Sequence, residues 1–120
     1  MVILVGDKPS PKMKEGAKPF EGAACEKRLR AWIQALGIKD HILVNSYSGH
    51  DWDYALEILD AYDHAPIIAL GKNASKRLDS ECLDHFKMPH PSGRNRLLND
   101  KSFIAGKLIE CKKWLDEYAK

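Results

Sequence analysis

Met1-Val2-Ile3-Leu4-Val5-Gly6-Asp7 opens with an unbroken apolar run of strand length that stops on a glycine and an acid. A strand with one wet face alternates apolar and polar residues, whereas a strand covered on both faces is apolar throughout. The run therefore predicts an interior strand of a parallel sheet over Met1–Gly6. Parallel neighbours need crossover segments, usually helices, so the rest of the chain is expected to alternate helix and strand. The same residues lack a basic leader and meet Asp7 too early for a secretory signal.

Working outward, Asp7–Gly22 contains Pro9, Pro11, Pro19, Gly16 and Gly22 and reads as a long loop. Loops beyond ~12 residues in a small domain are usually functional or disordered. Cys25, Leu29, Trp32, Ile33 and Leu36 recur at helical spacing, predicting a helix from about Ala23 to Leu36 with Gly37 as its stop. His41–Asn45 is a second short apolar strand. Asp51 is the expected N-cap of a helix from Trp52 to about Tyr62, with Trp52, Ala55, Leu59 and Tyr62 on one face. Pro66 introduces a third strand, Ile67-Ile68-Ala69-Leu70, ended by Gly71. A short basic helix follows over about Asn73–Leu78, then a weaker fourth strand over Asp84–Met88. Asp100 or Ser102 is expected to cap a last helix reaching Tyr118, striped by Ile104, Leu108, Cys111, Leu115 and Tyr118.

The order β-α-β-α-β-α-β-α predicts a three-layer α/β/α sandwich around a four-stranded, mostly parallel sheet, with residues 1–120 forming a single domain. Hydrophobic content of 44% and charged content of 30% are ordinary for a globular chain. No apolar run approaches the roughly 18 residues of a membrane span. A net charge of +2 is too small to announce a nucleic-acid partner by itself. Its placement says more, because Lys8, Lys12, Lys14, Lys18, Lys72, Lys76, Arg77, Arg94, Arg96 and Lys101 fall in or beside predicted loops. Cys25, Cys82 and Cys111 are scattered and odd in number, which fits reduced thiols, buried or half-buried, in a cytoplasmic setting. The histidines show no zinc-ligand spacing, and no metal or other cofactor is expected.

In open parallel sheets ligands bind beyond the carboxyl ends of the strands. Here the loops after the strands begin at Gly6-Asp7, Asn45, Gly71-Lys72 and Pro89-His90, and all are expected on one edge. The last is the densest: Met88-Pro89-His90-Pro91-Ser92-Gly93-Arg94-Asn95-Arg96 puts an imidazole, a hydroxyl, an amide and two guanidiniums in a loop. Its prolines and glycine bar a continuing helix or strand.

Read in order, these loops resemble the uracil-DNA glycosylase superfamily, particularly its small phage-type members and its iron–sulfur branch. Gly6-Asp7-Lys8-Pro9-Ser10 is similar to the family's first motif. Lys18-Pro19-Phe20-Glu21-Gly22 resembles its proline-phenylalanine stretch. Asn45 ends the second strand as the family's base-reading asparagine does. Ile67–Leu70 with Gly71-Lys72-Asn73-Ala74 is similar to its third strand and turn. His90-Pro91-Ser92 matches the second motif, and Gly93-Arg94-Asn95 is similar to its continuation in the single-strand-selective branch. Each motif alone is weak to moderate; their order along most of the chain is the specific signal.

The resemblance implies hydrolysis of the N-glycosidic bond of uracil, or a related modified pyrimidine, in single- or double-stranded DNA after base flipping. Phe20 would stack on the flipped ring or else anchor its loop in the core. Asn45, which donates and accepts at once, would read the base edge or else cap a strand. His90 would donate to the departing base as charge develops, or else bond to backbone. Ser10 and Ser92 would grip flanking phosphate and Arg94 would enter the gap left by the base. Arg96, Lys72 and Lys76 would attract phosphates without reading sequence. Lys8 stands where the best-known branch has an aspartate, so Asp7 is the expected catalytic carboxylate. Lys8 itself suits phosphate binding or, with a depressed pKa, an amine nucleophile. The iron–sulfur branch uses four cysteines, one more than the three of this chain.

Three readings follow. The first is a DNA glycosylase. The second is a weak or silent relative that uses the same pocket to bind DNA, a nucleotide or a protein partner, favoured by Lys8 and the short chain. The third is an unrelated small α/β enzyme handling nucleotides or phosphosugars. The short chain and the phage-like His90–Asp100 run point toward a viral origin, with the host cytoplasm as the place of action.

Overall fold

A computed structural model of the chain describes residues 1–6, 26–46, 49–89 and 101–118. The described elements run β1 (Val2–Gly6), α1 (Glu26–Ala35), β2 (His41–Asn45), α2 (Gly49–Ala61), β3 (Ile67–Leu70), α3 (Lys72–Ser80), β4 (Phe86–Met88) and α4 (Lys101–Tyr118). The four strands form one sheet in the order β2-β1-β3-β4. Every pairing is parallel, so the sheet among the described residues is wholly parallel.

Alternation along the central strands sorts the core into two layers. Val2 and Leu4 of β1 join Ile68, Leu70 and Met88 against Leu29 and Trp32 of α1, Leu36 just after it, and Cys111 of α4. Ile3 and Val5 join Val44, Ile67 and Ala69 against Trp52, Ala55 and Leu59 of α2 and Ala74 and Leu78 of α3. This two-sided cover explains the continuous apolar runs of β1 and β3, every residue of which is buried. Each of these fully buried aliphatic side chains stabilises the fold by roughly 1.5–3 kcal/mol relative to exposure. The three-layer α/β/α expectation is therefore met.

Local chemistry sets the ends of the elements. Gly37, at φ 70°, follows α1, and its N–H bonds the Gln34 carbonyl while that of Ile38 bonds Ile33. That is a Schellman stop, and the expected role of Gly37 holds. After α3 the same pattern recurs with Cys82 N–H on Asp79 and Leu83 N–H on Leu78. There the left-handed residue is Cys82, at φ 55°, not a glycine. The helix-to-strand turns 36–40, 62–66 and 81–85 all lie at the amino end of the strands.

Several expectations need correction. Asp51 does not cap α2, because the helix already includes Gly49; it is the acid of the first turn, where a carboxylate complements the helix dipole. Ser102 lies inside α4 and is not its cap, while Asp100 lies outside the described residues. Tyr62 falls just past α2 and is exposed, as is Tyr118 at the end of α4. Tyr118 instead rests on Trp114, with ring centroids 5.2 Å apart. Met1 is exposed and precedes β1. β4 is shorter than Asp84–Met88, since His85 turns its ring to the Leu83 carbonyl and to Ser75 before pairing begins. Cys82 is exposed, contrary to the buried reading, while Cys111 is fully buried.

Candidate functional site

Strand register brings the carboxyl ends together. Gly6 pairs with Asn45 across β1 and β2, Val5 with Ala69 across β1 and β3, and Leu70 with Met88 across β3 and β4. Carrying the β1–β3 register one step on, Asn45, Gly6, Leu70 and Met88 make a row across the end of the sheet. Alternation places all four on the face covered by α1 and α4. Neighbouring strands are ~4.8 Å apart, so the row spans about 14 Å. Leu70 and Met88 give it a buried apolar floor at 1% exposure each. Gly6, beside Asn45 in the row, adds no side chain.

Asn45 is itself buried, at 8% exposure. It has the one side-chain amide of the row, and an amide offers both a donor and an acceptor. The edge around it is braced by Ser46. Its N–H and its hydroxyl both donate to the Gly6 carbonyl, at 3.0 Å and 2.9 Å. Ser46 is 2% exposed, so the ends of β1 and β2 are locked by a satisfied buried pair. Sequence reading did not single out Ser46. A small hydroxyl directly after a strand-ending asparagine was the available signal.

On the other side of β1, Gly71 joins β3 to α3. Its N–H donates to the Met88 carbonyl at 2.8 Å, tying the end of β4 to the start of α3. Lys72 is the first residue of α3 and is exposed. A lysine at a helix N-terminus opposes the dipole, and the first turn of α3 has no acid to offset it. Positive potential therefore concentrates at this corner of the edge. Arg77, further along α3, lies over the Trp52 ring at 5.9 Å and joins α3 to α2.

Of the residues singled out from the sequence, the structure brings Asn45 and Lys72 to the same edge, at the ends of β2 and β3. Asp7, Lys8, Ser10, Phe20, His90, Ser92, Arg94 and Arg96 lie outside the described residues. The chain leaves this edge at Gly6, one residue before Asp7, and at Pro89, one before His90. A second polar cluster, Ser75 with His85, went unnoticed in the sequence because its partners are ten residues apart across a turn.

The order β2-β1-β3-β4 reverses direction between β1 and β3. An open parallel sheet of this kind is a doubly wound α/β protein, whose ligands sit at the switch point beyond the carboxyl ends. The model of the uracil DNA glycosylase superfamily matches residues 1–109, and the chain belongs to that superfamily. No curated protein matches the chain. No solved structure matches it either. Membership excludes the unrelated α/β enzyme and points to DNA as the class of partner. The four-thiolate cluster of the iron–sulfur branch does not fit, since these 120 residues hold three cysteines. Of these, Cys111 is sealed in the core and Cys82 is exposed on the turn after α3. Among the described residues no helix is long and apolar enough to cross a membrane.

Proposed function

We propose that the protein is a DNA glycosylase that hydrolyses the N-glycosidic bond of uracil or a related modified pyrimidine after flipping the nucleotide. The observation that carries this reading is Asn45, a buried amide at the end of β2 beside side-chain-free Gly6 and an apolar floor. A flipped pyrimidine needs that combination: a surface for its ring and one group that donates and accepts at its edge. Asp7 follows Gly6 in the chain and is the proposed carboxylate acting on the sugar or the attacking water. His90, two residues past Met88, is the proposed donor to the leaving base, where it stabilises charge that exists only as the bond breaks. Phe20 would stack on the base. Lys8, Ser10, Lys72, Ser92, Arg94 and Arg96 would hold the strand by its phosphates, Arg94 also filling the gap behind the flipped base.

A second reading is favoured by one residue. Lys8 takes the place where the best-known branch carries aspartate, and a cation there opposes an oxocarbenium-like sugar. The protein would then bind DNA, a nucleotide or a protein partner in the same pocket with little or no turnover. Single-turnover incubation with oligonucleotides carrying uracil, hydroxymethyluracil, hypoxanthine or thymine, single- and double-stranded, separates the two. Alkali-labile sites at one base, abolished in His90→Ala, establish the glycosylase and name its substrate. Salt-sensitive binding without cleavage by a folded protein establishes the silent relative.

A further inference from the structure

Ser75 and His85 have the parts of an activated nucleophile without its surroundings. Ser75 Oγ lies 2.7 Å from His85 Nε2, and His85 Nδ1 lies 2.8 Å from the Leu83 carbonyl. A carbonyl can only accept, so Nδ1 carries the proton and donates. In the neutral ring Nε2 then accepts from the Ser75 hydroxyl. Asp79 Oδ1 is 3.9 Å from the same nitrogen, too far to compete for it, and its side chain is largely exposed. Acyl transfer would need an accessible hydroxyl and free N–H donors aimed at an oxyanion. Ser75 is instead buried within α3, and its own N–H is donated to the Gly71 carbonyl at 3.2 Å. The pair holds something in place; it does not react.

What it holds is β4. This strand is three residues long and pairs, among the described strands, only with β3. At its carboxyl end the Gly71 N–H grips the Met88 carbonyl. At its amino end His85 is bonded to Ser75, in the first turns of α3. Both ties run to the short stretch 71–75, so β4 is fastened at each end to the corner where β3 becomes α3. Pro89 and His90 follow β4 directly in the chain.

We propose that the Ser75–His85 hydrogen bond is a positioning device. It fixes β4 and thereby the point from which the Pro89-His90 segment departs. On the glycosylase reading, on which this role rests, it sets where the leaving-base donor begins. Ser75 and His85 are positioning residues that act through β4.

Two readouts test this in wild type, Ser75→Ala, Ser75→Thr and Val44→Ala, the last being a core change in β2 on the far side of the sheet. The first is native-state amide exchange at Gly71, whose acceptor is on β4, against Ile3, whose N–H bonds Pro66. Ser75→Ala is expected to speed Gly71 exchange about tenfold relative to Ile3 by orphaning a buried ring nitrogen, and Ser75→Thr to restore it. Val44→Ala is expected to speed both amides alike. The second is single-turnover cleavage at saturating DNA. There Ser75→Ala lowers the rate constant by about tenfold while Kd moves less than about twofold, again restored by threonine. Should Ser75→Ala not yield folded protein, His85→Asn decides with the same expectations, since it loses the reach to Ser75. Unchanged Gly71 exchange, or a rise in step with Ile3, overturns the proposal. So does loss of affinity in place of rate. Wild-type protein that cleaves no base overturns the glycosylase reading alone, and the exchange data still decide the fastening of β4.

Discussion

Replacing Gly71 with alanine tests the corner on which the candidate site turns. Gly71 adopts φ 105° and ψ 172°, a region essentially reserved for glycine. Holding a Cβ there costs about 1–3 kcal/mol. Relaxing away from it would break the 2.8 Å bond to Met88, at a net cost of about 0.5–1.5 kcal/mol. Alanine also stiffens the unfolded chain, which returns about 0.4–1 kcal/mol. Held strain less that offset leaves a net loss of up to about 2.5 kcal/mol. At ~2.1 cal/mol/K per residue, 120 residues unfold with an entropy near 0.25 kcal/mol/K, so Tm should fall by up to about 10 °C. Gly37→Ala is the control. Gly37 sits at φ 70° with nothing within 4 Å of an added Cβ, and the left-handed region costs about 1–2 kcal/mol before the same offset. Thermal unfolding by circular dichroism, with urea midpoints as a check, measures both. If Gly71→Ala lowers Tm no more than Gly37→Ala, the assigned backbone at the β3–α3 corner is wrong, and so is the grip on Met88 built from it.

Three further outcomes are expected. On the proposed glycosylase reading, Asn45→Ala loses two hydrogen bonds to the base, together about 1–3 kcal/mol, slowing single-turnover cleavage by roughly 5- to 150-fold with little change in Tm. An unchanged rate would remove Asn45 from the site. Burial pushes the Cys111 thiol from 9.0 up to about 12. Its folded pKa thus lies above the unfolded one, so the contribution is intact below pH 9 and is lost as pH rises toward 12. Stability should fall by up to about 1.4 kcal/mol per pH unit over that window, and Cys111→Ala should flatten the fall in urea midpoints. Cys82→Gly should raise Tm by about 2–4 °C, because the Schellman turn after α3 places a side chain at positive φ that the matching turn after α1 gives to a glycine. A lower Tm would show that the Cys82 side chain contributes more than its backbone costs.

The layered fold was legible because its signals are local and redundant. Apolar runs without alternation marked β1 and β3 as interior strands, and Gly37 marked the end of α1. Two of the misjudged helix starts share one cause. Asp51 and Ser102 were read as caps because their side chains favour caps, yet each lies within the first turn, where an acid complements the helix dipole and a serine is tolerated. Cys82 was read by composition, but a Schellman turn needs a residue at positive φ whatever its polarity. At the site, Asn45 was singled out through the family resemblance, and the structure puts it at the carboxyl end of β2. Ser46, Ser75 and His85 were not, because their roles are set by partners distant in sequence: Ser46 bonds a carbonyl 40 positions away.

The two edges of the sheet have different work to do. Every described helix-to-strand turn has five residues, at 36–40, 62–66 and 81–85, whereas β3 passes into α3 through the single residue 71. The rim at the strand starts is uniform. Changes of length or chemistry on the opposite rim leave the strand starts, and hence the register of the whole sheet, untouched. Conversely, Asp63 and His64 project from the uniform rim with side chains 70% and 98% exposed. They offer a place to attach a fluorophore or a surface tether that keeps the opposite rim open to a long polyanion.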